Sequence, residues 1–165
     1  MTITADRLRD VLHYDPPSGV FTWLVATSSR AKVGDAAGSL NISNGYVYIQ
    51  IDGHRYLAHR LAWFYMTGSW PTAEIDHVNG FPIDNRWTNL REATSAQNQA
   101  NRRTNKYNTS GFKGVIWDKH RQRWCARIGK DGRLIFLGYF DTPAAAHAAY
   151  VAAAPEHHGD FARAA

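Results

Sequence analysis

The sequence predicts an α+β protein built from two modules, and three observations support this prediction. Apolar residues recur at helical spacing in some segments and alternate as in strands in others. A polar stretch at residues 104–111, with Asn, Ser and Gly and few apolar residues, separates two such regions. The excess positive charge lies after residue 100. We expect a first module over 1–103 with its core motif at 56–103, a linker at 104–111 and a second module over 112–165.

Composition excludes several classes of protein. Hydrophobic residues make up 44% of the 165 residues and charged residues 20%, as in globular domains. Apolar runs such as Leu61 to Met66 are far shorter than a membrane span, and the N-terminal residues lack a secretory signal pattern. Cys125 is the only cysteine, which excludes an internal disulfide and a cysteine-rich zinc site. We expect a cytoplasmic protein with no membrane partner.

The first module begins with short elements that local signals predict. A helix at 5–14 is expected from Leu8, Val11 and Leu12, and the turn residues that follow end it. Two β-branched and aromatic runs predict strands at 20–25 and 46–51, and Asp52-Gly53 predicts a tight turn. The apolar face that follows predicts a core helix over 56–66, closed by Gly68 as its C-terminal cap.

The remainder of the first module is expected to be a hairpin followed by a helix. Ile75–Val78 is a predicted strand, Asn79-Gly80 is a hairpin-turn pair, and Ile83 is expected to continue the hairpin. Thr94–Gln97 fits a capping box, which predicts a helix from about 95 to 103.

The second module is expected to be a three-stranded antiparallel sheet packed on one helix. Strands are predicted at 114–118, 123–128 and 134–140, with a turn at Lys130-Asp131-Gly132. Thr142-Pro143 predicts the start of an Ala-rich helix that ends at Pro155 and covers one face of the sheet. His157-His158 has no nearby carboxylate or cysteine partner and is read as a solvated tail.

Four polar residues in the first module could carry chemistry. Asp76 and His77 are adjacent, Asn89 follows His77 by twelve residues, and Asn98 follows nine residues later. Asp and Asn oxygens suit Mg²⁺ or Mn²⁺, and a neutral imidazole can take a proton from water near neutral pH. We assign His77 to general-base catalysis and Asn89 to orienting that ring through its amide oxygen, with a metal ion held by Asp and Asn oxygens of the group. Each residue alone also fits an ordinary structural role.

The charge distribution predicts a nucleic-acid surface. Residues 101–140 hold ten Lys and Arg against two Asp and Glu, whereas residues 1–100 hold eight and nine. Basic residues interleaved with aromatic ones are typical of nucleic-acid binding, because each cation set against a phosphate releases counterions. A solvated basic surface is the alternative. The basic residues of this stretch are Arg102, Arg103, Lys106, Lys113, Lys119, Arg121, Arg123, Arg127, Lys130 and Arg133.

Several runs in the first module closely resemble the HNH endonucleases of bacteriophages and mobile introns, which have a ββα-metal fold. The runs are His59-Arg60-Leu61-Ala62-Trp63, Ile75 to Gly80, Asp84-Asn85-Arg86, Asn89-Leu90-Arg91 and Thr94 to Asn98. The resemblance implies that Asp76 and Asn98 bind one divalent metal ion, that His77 is the general base and that Asn89 positions it.

The other residues of the HNH pattern receive supporting roles. His59 and Arg60 belong to it, but their place on an apolar helix favours packing or a phosphate contact over catalysis. Asp84-Asn85-Arg86 is expected to fix the loop that carries Asn89, with Arg86 or Arg91 as a candidate phosphate ligand. Some relatives hold a structural zinc with cysteines, and this chain lacks those ligands.

The second module resembles the plant Apetala/ethylene-response DNA-binding domain. The similar runs are Gly111 to Val115, Arg123 to Ile128, Leu137 to Thr142, Ala145 to Tyr150 and His158-Gly159. In that family a three-stranded sheet lies in the major groove and a helix packs behind it. The resemblance implies DNA contacts from Trp117, Lys119, Arg121, Arg123 and Arg127, whereas Trp124 is assigned to the core. Ile116, Asp118 and Leu134 stand where that family commonly has basic residues, so its base preference cannot be carried over.

The residues and resemblances together predict a metal-dependent DNA endonuclease of a homing or free-standing phage type. We expect a monomer acting on double-stranded DNA in the host cytoplasm with Mg²⁺ or Mn²⁺, cutting one strand or both. Phosphate contacts would come from Arg102, Arg103, Lys113, Lys119, Arg121, Arg123 and Arg127. A non-catalytic DNA-binding regulator is the principal alternative, and an RNA-binding module, in which aromatic strands stack bases, is a third.

Overall fold

The computed structural model describes residues 3–26, 31–104, 107–130 and 132–163. The chain divides into two compact units, Met1–Glu92 and Ala93–Ala165. This division precedes the linker expected at 104–111, and residues 105 and 106 of that linker, like Asp131 of the predicted turn, lie outside the described residues. None of the described helices is long and apolar enough to cross a membrane.

The first unit mixes short strands with two helices. Its elements are α1 (Ala5–Val11), β1 (Leu12–Asp15), β2 (Val20–Trp23), β3 (Ser39–Leu40), β4 (Val47–Ile51), β5 (His54–Leu57), α2 (Ala58–Thr67), β6 (Glu74–His77), a 3-10 turn (Trp87–Asn89) and β7 (Leu90–Ala93), whose last residue belongs to the second unit. β1 pairs with β2, β4 lies between β3 and β5, and β6 pairs with β7. The core contains fully buried residues from α1, β1, β2, β4 and α2, and it supports the strand that carries Asp76 and His77.

Two predicted helices are shorter than expected because strands occupy their ends. The helix expected over 5–14 ends at Val11, and Leu12 and Tyr14, which alternate in β1, are both buried. The helix expected from residue 56 begins at Ala58. Asp52 and Gly53 both have positive φ (49° and 79°), the turn geometry that folds β5 back onto β4. Gly68 caps α2 in the left-handed conformation, as predicted.

The hairpin expected at Asn79-Gly80 is wrong. Gly80 donates its amide to the His77 carbonyl, but the strand that pairs with β6 is β7, not the segment around Ile83. Pro82 cannot donate to a strand ladder, so the chain leaves the sheet here and returns through the 3-10 turn. The result is a loop, residues 78–89, between the two strands; because it follows the candidate catalytic residues Asp76 and His77, we name it the active-site loop.

The second unit contains a short helix and an antiparallel sheet covered by a long helix. Its elements are α3 (Ser95–Asn101), β8 (Val115–Asp118), β9 (Arg123–Lys130), β10 (Arg133–Phe140), α4 (Pro143–His158) and a 3-10 turn (Gly159–Phe161). The strand order is β10-β9-β8. Val115, Ala126 and Ile128 are buried with Ala146 and Tyr150 of α4. A Cβ at Gly114 would lie 2.1 Å from Tyr150, so only glycine permits this packing.

Helix termini in the second unit follow the predicted signals in part. The capping box of Thr94 and Gln97 is confirmed, and Thr142 caps α4 by accepting from the Ala145 amide. α3 ends two residues earlier than expected. α4 continues past Pro155 to His158, because the Gly159 amide reaches back to the Pro155 carbonyl and closes one more turn. His157 and His158 are therefore half-buried in this turn and not a solvated tail.

Candidate active site and nucleic-acid interface

β6 carries the two residues on which the candidate active site depends. Asp76 and His77 are both 4% exposed, so neither is an ordinary surface residue. The Arg91 guanidinium, from the neighbouring strand β7, donates from Nε to Asp76 Oδ2 at 2.9 Å. A buried carboxylate is costly without such a partner. The ion pair therefore fixes the orientation of the carboxylate and assigns Arg91 to Asp76.

The His77 imidazole contacts an asparagine from the active-site loop. His77 Nε2 lies 3.3 Å from Asn85 Oδ1, and Asn85 Nδ2 donates to the Ile83 carbonyl, which fixes the amide with its oxygen toward the ring. Because an amide oxygen only accepts, Nε2 carries the proton in this arrangement and Nδ1 carries the lone pair. Burial lowers the pKa of His77 below its ordinary value, against the opposing effects of Asn85 and Asp76. The ring is thus neutral near neutral pH.

The Asn89 amide does not orient His77 as expected. Its Oδ1 accepts from the Asn79 amide at 2.9 Å, and its Nδ2 donates to Asn79 Oδ1 at 3.0 Å and to the Asp84 carbonyl at 2.8 Å. These bonds satisfy backbone groups of a loop that has no strand partner. Asn89 therefore braces the active-site loop, while Asn85 supplies the amide oxygen nearest the ring.

A second ion pair holds the same loop from outside. Arg86 donates to both carboxylate oxygens of Asp84, and Asn79 Nδ2 donates to Asp84 Oδ2 at 2.6 Å. Arg86 beside the carboxyl lowers the pKa of Asp84 to about 2. This geometry agrees with the expectation that these residues fix the loop. The Arg86 guanidinium, a candidate phosphate ligand, is bound to the Asp84 carboxylate.

The β1–β2 hairpin supports the loop from beneath, a role that sequence reasoning missed. The buried Tyr14 hydroxyl donates to the Asn85 carbonyl at 2.6 Å. Gly19 has a φ of +75°, and a Cβ there would lie 2.3 Å from the Arg86 nitrogen and 2.4 Å from the Asn85 carbonyl carbon. The run Asp15-Pro16-Pro17-Ser18-Gly19 signals a turn in the sequence, but it does not indicate which residues the turn contacts.

His59 is a further residue of the site that the sequence analysis left in a packing role. Its ring meets His77 edge-on with centroids 5.0 Å apart, and Tyr46 lies 5.1 Å from His59. Burial lowers the pKa of His59 to about 3, so the ring is uncharged. Its Nδ1 is buried without a hydrogen-bond partner among the described residues. Arg60 was expected to pack or to contact a phosphate, but its guanidinium donates to the Pro71 and Ala73 carbonyls.

Asn98 lies on α3 in the second unit, directly after Gln97 of the capping box, and its side chain is half-buried. No group of three or more His, Cys, Asp or Glu side chains in the described ranges is placed to hold a metal ion. The expected ligand set, Asp76 and Asn98, is not a group of that kind, because it combines one carboxylate with one amide oxygen. Both are hard oxygen donors of the type that Mg²⁺ accepts.

The sheet of the second unit separates the predicted DNA-contact residues. Strand register pairs Asp118 with Arg123 and Phe136 with Arg127, on the face opposite α4. Trp117 instead pairs with Trp124, on the face that packs toward α4, and their rings are 5.1 Å apart. Trp124 thus packs with the core as predicted, whereas Trp117 is displaced from the face that carries the arginines.

The remaining basic residues divide between exposed and engaged positions. Arg102, Arg103, Lys119 and Arg121 are exposed, and the Arg121 guanidinium lies 5.0 Å from the Tyr139 ring centroid. The Lys113 ammonium donates to the Ala100 and Arg102 carbonyls, at 2.8 Å for the latter, and burial lowers its pKa to about 8. Lys113 therefore caps the end of α3, which corrects the expectation of a phosphate contact. Lys106 lies outside the described residues.

The site geometry can be set beside known proteins. The model of the HNH endonuclease family matches residues 56–100. Residues 56–100 are thus similar to an HNH endonuclease domain. This region spans α2, Asp76, His77, the whole active-site loop and Asn98.

One curated relative is Protein 3.8 of Escherichia phage T7. It is 41% identical over 59 residues, which are 36% of this chain and 49% of that protein. The chain therefore aligns with about half the length of this relative. No solved structure matches the chain significantly.

Proposed function

We propose that the protein is a metal-dependent DNA endonuclease that hydrolyses a phosphodiester bond at a preferred site. The observation that carries this proposal is the buried Asp76-His77 pair on β6, which lies within the HNH domain and has its carboxylate and its imidazole held by separate partners. Burying two titratable groups side by side costs stability, and catalysis explains why the fold tolerates that cost.

His77 acts as the general base in this proposal. Its neutral imidazole can accept a proton from the attacking water through the nitrogen that does not face Asn85. Asn85 fixes the tautomer and the plane of the His77 ring. The His59 ring packs edge-on against it and restricts its rotation. Asn89 contributes by holding the loop that carries Asn85, and its role is therefore to position the base.

Asp76 would hold the metal ion, with Asn98 as the second ligand that the HNH resemblance assigns. The donor set fits a divalent cation because both atoms are hard oxygens and Arg91 already fixes the orientation of the carboxylate. When bound, Mg²⁺ or Mn²⁺ would stabilise the negative charge that develops on the phosphate.

The second unit would bind double-stranded DNA through the face of its sheet opposite α4. Arg123 and Arg127 lie on that face by register, and Arg121 stands over Tyr139 at its edge. The Apetala/ethylene-response resemblance supports this assignment, and Arg102, Arg103 and Lys119 are exposed for further phosphate contacts. We propose that the protein acts as a monomer in the cytoplasm of a phage-infected host, as a homing or free-standing enzyme.

One observation favours a second candidate, a non-catalytic DNA-binding regulator. The ion pair with Arg91 already neutralises the Asp76 carboxylate, which would otherwise attract a metal ion. In a regulator this pair would be a structural element of the sheet. Cleavage assays separate the two candidates, because only the endonuclease loses an activity when Asp76 changes.

Paired cleavage and binding measurements test the proposal. We expect Asp76→Ala and His77→Ala to abolish cleavage while DNA affinity, measured by fluorescence anisotropy, changes little. Arg127→Ala should weaken binding and lower the slope of log affinity against log salt by about 0.9, the value for one lost phosphate contact. Arg55→Ala, an exposed arginine of the first unit, is the control and should leave the slope unchanged. Loss of binding in both active-site variants contradicts the division of roles.

A further inference from the structure

The face of the sheet opposite α4 carries more than arginines. Strand register places Ile116 opposite Cys125, Phe136 opposite Arg127 and Leu134 opposite Gly129. Side chains alternate between the two faces of a strand, and the neighbours of these residues, Val115 and Ile135, pack toward α4. The apolar side chains of Ile116, Leu134 and Phe136 therefore point away from the core.

These three exposed side chains lie on the two outer strands of this face, Ile116 on β8 and Leu134 and Phe136 on β10, and we name them the apolar strip. Their exposed fractions are 39% for Ile116, 68% for Leu134 and 57% for Phe136. The Phe136 ring contacts Tyr139, with centroids 4.9 Å apart, which extends the strip along β10. Exposed apolar residues that adjoin one another usually mark a binding surface, whereas scattered ones do not.

Cations border the strip and indicate a polyanionic partner. Arg123 and Arg127 of β9 lie on the same face by register, and the Arg121 guanidinium lies 5.0 Å from the Tyr139 ring centroid, although Arg123 also pairs with the exposed Asp141 at 2.9 Å. Asp118 is the acidic residue of this face by register, and its carboxylate accepts from the Tyr139 hydroxyl and from the His120 and Arg121 amides. A duplex offers phosphates to the border and base edges to the centre of such a face.

We propose that the apolar strip reads the C5-methyl groups of thymine in the major groove. Among the four bases only thymine presents a methyl group there, and apolar side chains contact it, whereas Arg and Lys select guanine. The strip of Ile116, Leu134 and Phe136 has no donor for guanine, so the base pairs that it covers should be A·T, while Arg121, Arg123 and Arg127 contact phosphates. This inference rests on the proposed DNA binding by the second unit and adds the base class that the site prefers.

Methyl groups can be removed from or added to DNA without changing the protein. The probes are four 20-base-pair duplexes of alternating sequence, each built from one kind of pair: A·T, A·U, G·C or G·5-methyl-C. Each duplex is titrated with the full-length His77→Ala protein in chelator. A·U lacks only the thymine methyl, and 5-methyl-C places a methyl at the equivalent position. We expect A·U to bind about fourfold more weakly for each buried methyl that it lacks, and methylated G·C to bind more tightly than G·C.

Protein variants connect the preference to the strip. Leu134→Ala and Phe136→Ala should reduce the A·T over A·U ratio toward one, and the control Val151→Ala, an exposed apolar residue of α4, should leave it unchanged. Circular dichroism identifies any variant that fails to fold. The comparison of A·T with A·U by the protein with an unchanged strip does not depend on these variants.

Three results overturn the inference. Equal affinity for A·T and A·U shows that no methyl is read. Tighter binding to single-stranded than to double-stranded DNA assigns Phe136 to base stacking, and a dimer in sedimentation that Leu134→Ala disrupts assigns the strip to a second copy of the chain. Cleavage by the wild-type protein in the presence of any of these results would leave the endonuclease proposal intact.

Discussion

Asn89 offers a sharp test of how the active-site loop works, because its amide makes three hydrogen bonds to the loop and none of them reaches His77. Asn89→Ala removes all three at a position that is 6% exposed. At about 1 kcal/mol for each bond, the free energy of unfolding of the first unit should fall by about 3 kcal/mol. The Asn79 amide, which donates to Asn89 Oδ1, should also lose its protection from hydrogen exchange.

Urea denaturation and amide exchange measure these two effects, and plasmid cleavage reports the consequence for the site. We expect cleavage to fall because the loop loses its support, and to recover in part at low temperature, where the folded loop is more populated. Asn85→Ala serves as the matched comparison, because it removes the amide nearest the ring. If Asn89→Ala abolishes cleavage with less than about 1 kcal/mol of destabilisation and an unchanged Asn79 amide, Asn89 acts on the chemistry and the bracing role is wrong.

Three further predictions concern the surroundings of the site. Gly19→Ala should destabilise the first unit by more than Gly68→Ala in urea denaturation, because both glycines have a φ near +75° but only the first would clash, with the Asn85–Arg86 backbone. His59→Phe should retain cleavage within about threefold and His59→Ala should lose at least tenfold in plasmid assays, because an uncharged ring acts here through its shape. Asp84, with a pKa lowered to about 2, should contribute stability above pH 4 that is lost as the pH falls toward 2; because solvent screens its ion pair with the exposed Arg86, we expect about 1 kcal/mol, and acid unfolding of Asp84→Asn should lack this component.

Each of these predictions has a contradicting result. Equal destabilisation by the two glycine variants would remove the clash as a cause. Equal loss of cleavage in His59→Phe and His59→Ala would show that a ring nitrogen takes part in the reaction. An unchanged acid unfolding profile in Asp84→Asn would mean that the ion pair with Arg86 is too solvated to stabilise the loop.

Local signals in the sequence predicted local structure well. The capping box at Thr94 and Gln97, the glycine cap at Gly68 and the tight turn at Asp52-Gly53 all depend on residues within four positions of one another. The backbone hydrogen bonds that these signals satisfy are equally local, and little in the remainder of the fold can override them.

Predictions that depended on distant partners were less accurate. Asn79-Gly80 has the composition of a hairpin turn, but the partner of β6 begins at Leu90, after a loop whose own hydrogen bonds compete with strand pairing. Likewise, the spacing of Asn85 and Asn89 does not indicate which amide faces the imidazole. That choice depends on Tyr14 and Gly19, which hold the loop from more than sixty residues away in the chain.

The same limit applies to the sheet of the second unit. Basic and aromatic residues are interleaved over residues 101–140, a pattern that predicted strands but left their faces unassigned. The register of Trp117 with Trp124 assigns Trp117 to the side of α4, and the Lys113 ammonium is used by two carbonyls. Charge density alone could not separate these residues from Arg123 and Arg127.

The central claim is that His77 and a divalent metal ion together cleave DNA, and a supercoiled-plasmid assay tests it most directly. The full-length protein is incubated with Mg²⁺, Mn²⁺ or chelator beside His77→Ala and the control His13→Ala, an exposed histidine of β1. We predict relaxed or linear product with the wild type and His13→Ala in either metal, and none with His77→Ala or chelator. Equal cleavage by His77→Ala, or no cleavage by any protein on plasmid and phage genomic DNA, would contradict the account.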